Sequence, residues 1–190
     1  MKLTAILFVL GCLIVAPGLA LAQTENHVEV GAFGEYYRFD QTNTINFVGV
    51  GGRAGFYVNP WASIEGEISY DFERNQTNFF TNGVTTNFAT TRLRPLHGLF
   101  GPKFNFGKGN ADIFATGKVG FVNFASSDQS VAEAFGNVDA GSTRFAVYPG
   151  VGVEGFWGHV GLRAEIGDEI YFSGGARNNL KVSLGPHLRF

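Results

Sequence analysis

The sequence predicts an all-β fold, an eight-stranded antiparallel up-and-down transmembrane β-barrel, from three observations. Apolar and charged residues alternate with period two along segment after segment. Each segment is about as long as a tilted strand crossing a bilayer, roughly 9–11 residues. Short turns then alternate with longer polar loops. Composition agrees: 27 glycines and 20 phenylalanines in 190 residues favour backbones in close approach and rings at an interface, where soluble chains average roughly 7% glycine.

Residues 1–22 read as a separate unit. Lys2 precedes an apolar run from Leu3, and Ala20-Leu21-Ala22 forms a small-residue cleavage site before Gln23, the pattern of a secretory signal peptide. A lipoprotein reading of Cys12 is disfavoured because the apolar run continues through Ile14, Val15 and Leu19. The barrel domain is then 23–190, without cysteine and so without disulfide or thiolate metal ligands. Removing Lys2 from 14 Lys plus Arg leaves 13 against 16 Asp plus Glu, a charge of −3. That gives no case for a nucleic-acid partner.

The elements follow in order. Residues 27–39 carry Glu29 and Glu35 on one parity. The stretch FVGVGGRAGF, 47–56, has the glycine density of a phosphate loop but runs into Phe56-Tyr57-Val58-Asn59-Pro60, with no helix to bind an anion. By parity it is a strand, with Val48, Val50, Ala54, Phe56 and Val58 on one face and Gly49, Gly51, Arg53, Gly55 and Tyr57 on the other. Residues 62–72 set Ile64, Ile68, Tyr70 and Phe72 against Glu65, Glu67 and Asp71. The segments 93–106 (His97, Lys103), 111–124 (Asp112, Thr116, Lys118) and 143–156 (Arg144, Glu154) fit less cleanly, yet keep their charges on one parity. Residues 160–166 set Arg163 and Glu165 against Val160, Leu162, Ala164 and Ile166. Residues 180–190 set Lys181, His187 and Arg189 against Leu180, Val182, Leu184, Leu188 and Phe190. Short connections fall at 59–60, 107–110 and 157–159, and longer ones at 40–45, 73–92, 125–142 and 168–178.

A soluble lipocalin-like carrier would also have eight strands, but would turn its charges outward. The charged face here collects Glu29, Glu35, Glu65, Glu67, Asp71, Glu154 and Glu165 against Arg53, Lys103, Lys118, Arg144, Arg163, Lys181 and Arg189, seven acids opposing seven bases. Such pairing is needed inside a narrow lumen, where an unpaired charge costs several kcal/mol. The opposite face suits lipid and would be an aggregation hazard in water. Eight strands leave an interior just wide enough for its own side chains, so a closed lumen is expected. Trp61 and Trp157 at short turns, with Tyr36, Tyr70, Phe72, Phe121 and Phe124 near the other strand ends, are expected to form two aromatic girdles.

These features resemble the small outer-membrane β-barrels of the OmpA/OmpX type, on the strength of the signal peptide, the eight two-faced strands and the last strand LKVSLGPHLRF. The resemblance implies localisation in the bacterial cell outer membrane, lipid as a partner, and recognition of Val182, Leu184, Leu188 and Phe190 by the barrel-assembly machinery. OmpA itself continues into a peptidoglycan-binding domain; this chain stops at Phe190, so cell-wall anchoring is not implied. The expected role is structural or interactive, in envelope integrity or surface binding through extracellular loops, with a small-solute channel as the alternative.

No enzyme, cofactor or metal site is expected. His27 and His159 read as exposed, and His97 and His187 as hydrogen-bonded lumen residues. There is no H-x-x-x-H pair, and the loops 73–92 and 125–142 hold no histidine for omptin-like proteolysis. Glu65 and Glu67 could conceivably form an acid–base pair, but are expected instead to salt-bridge Arg53 on the next strand and other lumen bases. Phe79, Phe80 and Phe88, in TNFFTNGVTTNF, are candidate loop contacts for an unidentified surface ligand.

Overall fold

The structure, a computed structural model, describes residues 27–39, 44–81, 86–107, 110–126 and 142–190, with the backbone alone over 75–91 and at 126. The proposed signal peptide lies outside the described residues. The strands are β1 (Val28–Phe39), β2 (Ile45–Asn59), β3 (Ala62–Asp71), β4 (Arg74–Thr81), β5 (Thr86–Asn105), β6 (Ala111–Ser126), β7 (Thr143–Trp157), β8 (Val160–Asp168), β9 (Ile170–Phe172), β10 (Ala176–Arg177) and β11 (Asn179–Arg189).

Each long strand pairs antiparallel with its neighbours, in the order β1-β2-β3-β5-β6-β7-β8-β11. β11 returns to β1, pairing Glu29 with Arg189 and Phe39 with Asn179, and closes the ring. The result is an eight-stranded antiparallel barrel with no free edge among these strands, which satisfies every ladder internally and makes the shape viable in lipid. Both described chain ends meet at the short-turn end, where the His27 amide donates to the Phe190 carbonyl.

The turns at that end follow from local sequence. Gly158 adopts a left-handed φ of 66° in the tight β7–β8 connection, a conformation glycine takes without steric penalty. At the β2–β3 turn the Trp61 amide donates to the Asn59 side chain, and the register shifts between Tyr57 and Asn59.

Two of the predicted long loops contain strand. Within 73–92, β4 pairs with the first part of β5 from Arg74↔Leu93 to Thr81↔Thr86, so the hairpin extends well beyond the barrel wall. Its Thr and Phe residues favour extended backbone, which outweighs the Asn content that suggested loop. Within 168–178, β9 pairs with β7 and β10.

The two faces separate as the parity reading requires. Val48, Val50, Phe56, Ile64, Ile68, Phe100, Ile113, Val119, Val151, Val153, Leu162, Ile166, Leu184 and Leu188 are exposed on the outer face, an apolar band that only lipid can cover. Trp61 and Trp157 are exposed at the short-turn end. Tyr36, Tyr70, Phe72 and Phe121 face outward toward the long-loop end, but Phe124 is fully buried. It belongs inside because it shares parity with Lys118, not with Phe121.

Candidate functional site

The interior has three levels. Nearest the short turns, Lys103 on β5 donates to Glu29 on β1 at 3.1 Å and to Glu154 on β7 at 3.0 Å. The Tyr57 hydroxyl donates to Glu29 at 2.8 Å, and Asn105 to Glu154 at 2.9 Å. Arg189 reaches Glu154 at 3.3 Å and lies over the Phe156 ring. Each acid therefore faces donors from several strands, which ties distant parts of the wall together.

The middle level is denser. Arg163 on β8 contacts Glu65, Glu165 and Glu29, and its guanidinium stacks 4.1 Å from the Phe114 ring centre. Lys118 on β6 lies 2.8 Å from Glu65, 2.6 Å from Glu67 and 3.2 Å from Glu165. Lys181 on β11 joins Glu67 at 3.1 Å to Glu35 at 3.3 Å. Charges removed from water survive only when paired and hydrogen-bonded, and here Glu65, Glu67 and Glu165 each meet at least two bases.

Arg53 departs from expectation. Its register partner is Glu67, yet its ion pair, at 2.9 Å, is with Glu165 across the barrel, and it donates to Ser183 at 3.0 Å. In an eight-stranded lumen the opposite wall is within reach of an extended guanidinium, so the neighbouring strand has no privilege. Two of the surrounding glycines are closely packed. A side chain at Gly51 would overlap the Phe33 ring and one at Gly49 the Asp71 carboxylate. Phe33 in turn lies 4.3 Å beneath the Arg53 guanidinium, so these glycines admit their neighbours' side chains.

Above this, toward the long loops, His97 on β5 bridges two acids, Glu169 at 2.7 Å and Asp71 at 3.2 Å. Tyr37, Phe39, Phe47, Leu93, Val122, Phe124, Ala146, Tyr148 and Tyr171 then fill the lumen as one buried apolar cluster. Phe39 stacks on Tyr171, and Phe124 meets both edge-on at 5.2–5.3 Å.

Of the residues selected from sequence, Arg53, Glu65, Glu67, Asp71, Lys103, Lys118, Glu154, Arg163, Glu165 and Lys181 are all buried, and Arg189 nearly so. Arg144 is half-buried on the inward parity of β7, opposite Val122. Glu169 was missed. It sits in a segment read as loop, although Arg163, Glu165, Glu169 and Tyr171 share one parity that runs on past the end of β8. It makes the buried set acid-rich rather than balanced at seven against seven. His187 also differs from expectation: it is buried with neither ring nitrogen hydrogen-bonded, packed edge-on against Phe156.

Glu65 and Glu67 are held by cations inside this network rather than open to a substrate. Phe79 pairs with Phe88 and Phe80 with Asn87 along the β4–β5 backbone; the side chains that would make loop contacts lie outside the described residues. Val182, Leu184 and Leu188 line the outer face of β11, and Phe190 is tied by its backbone to Val28.

A closed barrel with an apolar exterior, an ion-paired interior and both described chain ends at the short-turn end defines a transmembrane β-barrel of outer-membrane type. Residues 5–187 match the family described as the outer membrane protein beta-barrel domain, and the chain belongs to that family. It is accordingly an outer-membrane protein. Among solved structures it is similar to Ail, the attachment invasion locus protein of Yersinia pestis, in complex with the heparin analogue sucrose octasulfate (13% identity, 88% of this chain and 100% of that one, TM-score 0.59). It is also similar to Neisserial surface protein A (10%, 86% and 97%, 0.60) and to the N-terminal barrel of Pseudomonas aeruginosa OprF (14%, 88% and 100%, 0.52). At these identities the likeness is one of fold. No curated protein sequence matches the chain.

Proposed function

We propose that the protein is a non-enzymatic, closed outer-membrane scaffold that acts through its extracellular hairpins, in surface interaction or envelope integrity. The observation that carries this reading is the filled lumen: charged side chains satisfy one another across the barrel, and an aromatic cluster sits above them. With the interior committed to the fold, the surface left for function is the long-loop end. In this reading 1–22 directs export, and the β11 pattern ending in Phe190 serves recognition by the assembly machinery.

The β4–β5 hairpin is the extension to test. Replacing residues 79–88 by Asn-Gly joins the Asn78↔Ala89 pair with a tight two-residue turn. Cells carrying the shortened barrel should keep a heat-modifiable folded band but lose binding to a heparin-coated surface several-fold. The heparin analogue bound by Ail supports that choice of first probe. Unchanged binding with folding intact would remove the hairpin from the binding surface, and failure to fold would assign it to structure.

A further inference from the structure

Among the described residues, eight acids are buried in the lumen: Glu29, Glu35, Glu65, Glu67, Asp71, Glu154, Glu165 and Glu169. Six fixed bases face them: Arg53, Lys103, Lys118, Arg163, Lys181 and Arg189. Half-buried Asp112 and Arg144 cancel. The unmatched acid is concentrated at the upper level, where the ion pairs shown for Glu35, Asp71 and Glu169 among the described residues are to His97 and to one lysine, Lys181, which Glu67 also holds.

The polar atoms at that level are also incompletely satisfied. Glu35 Oε1, Asp71 Oδ1 and Glu169 Oε2 have no hydrogen-bond partner among the described residues. Independently of the acids, the Tyr37 hydroxyl is fully buried and likewise without one. Its ring lies 4.7 Å from that of His97, and the charges of Glu169, Asp71 and Glu35 act on its hydroxyl. A buried hydroxyl left without a partner beside carboxylate oxygens that also lack one points to a further group at this level, an ion or a water.

We propose that Glu35, Asp71 and His97 bind one divalent transition-metal ion, of the Zn²⁺ class, inside the barrel. A ligand atom from each of the three lies within 4.8 Å of the others, close enough for one ion to reach all three after small side-chain rotations. The hydrogen-bond lengths already differ in the sense required. His97 Nδ1 is held tightly by Glu169 at 2.7 Å, while Nε2 faces Asp71 at a looser 3.2 Å. Glu169 is thus the carboxylate that orients a metal-bound imidazole and fixes its tautomer. The ion would sit between His97 Nε2 and the Asp71 carboxylate, and any proton on Nε2 passes to water. Lys181 faces the second oxygens of Glu35 and Glu169, so Glu35 Oε1 remains for the ion. The ligands come from β1, β3 and β5, which is why no local spacing such as H-x-x-x-H announces them.

The test uses full-length barrel without an affinity tag, unfolded in urea with chelator and refolded in detergent with ZnCl₂ or without metal. After gel filtration, elemental analysis of the wild type should find about one zinc per chain, and the urea midpoint of unfolding should rise with zinc present. Glu35→Gln should fold, as judged by the heat-modifiable band, and lose both the zinc and the shift. His97→Gln should do the same, while His27→Ala and His159→Ala should retain both. If wild-type barrel folds but holds no zinc, or if Glu35→Gln and His97→Gln keep it, the site does not exist.

Discussion

Arg163→Met is expected to be among the most destabilising single substitutions in the barrel, lowering unfolding free energy by about 3–5 kcal/mol, the usual consequence of removing one partner from a buried ion network. The reason is connectivity. Arg163 contacts Glu29, Glu65 and Glu165 and joins the short-turn level to the middle one. Methionine would keep an unbranched stem but lose the guanidinium stacked on Phe114 and leave Glu65 with Lys118 alone among its ion pairs. Arg53→Ala provides the internal comparison. It also removes a buried guanidinium, but Glu165 keeps Lys118 and Arg163, so the loss should be clearly smaller. Urea titrations of the refolded variants, followed by tryptophan fluorescence, measure both. Equal losses would mean that connectivity within the network is irrelevant, and an unchanged midpoint for Arg163→Met would mean that these carboxylates are hydrated.

The second large effect is expected at the seam that closes the barrel. Gly185 on β11 faces inward beside β1, and a Cβ built there would run into the Ala32 carbonyl and the Phe33 backbone. The β1–β11 pairing lapses at this place, in unchanged register, between Gly31↔His187 and Gly34↔Leu184. Pro186, which has no amide hydrogen to donate, follows directly. A backbone obstacle cannot rotate away as a side-chain tip can, so Gly185→Val must push the two strands apart. Overpacking of this kind costs about 1–3 kcal/mol in a packed core; here it also opposes ring closure. The folded, heat-modifiable fraction after refolding should fall sharply. Gly52→Val is the control: at Gly52, on the outer face, only the Gly31 carbonyl approaches, at 3.8 Å, and folding should be nearly normal.

The barrel itself is legible in the sequence because period two maps directly onto its wall. Once Glu65, Glu67 and Asp71 share a parity opposed to Ile64, Ile68 and Tyr70, only the choice of interior remains, and lipid decides that. The limits were of two kinds. Parity assigns a face but not a partner, so Arg53 was matched to the strand beside it, although its counter-ion Glu165 stands on the opposite wall. Hydropathy also separates polar from apolar, whereas this lumen mixes them. Tyr37, Phe39, Tyr148 and Tyr171 share the parity of the charges and form the apolar cluster above them. Following β8's odd positions onward would have found both Tyr171 and Glu169, and with them the acid-rich upper level that a seven-to-seven count concealed.

The most direct measurement of the central claim is single-channel recording of the purified, folded barrel in a planar lipid bilayer. A lumen closed by its own ion pairs and the aromatic cluster should give a quiet baseline, with no stable conducting state at moderate voltage. Long-lived, uniform current steps that scale with salt concentration, from protein shown to be folded and free of other porins, would show instead a continuous water path through the lumen, and would contradict the closed-scaffold reading.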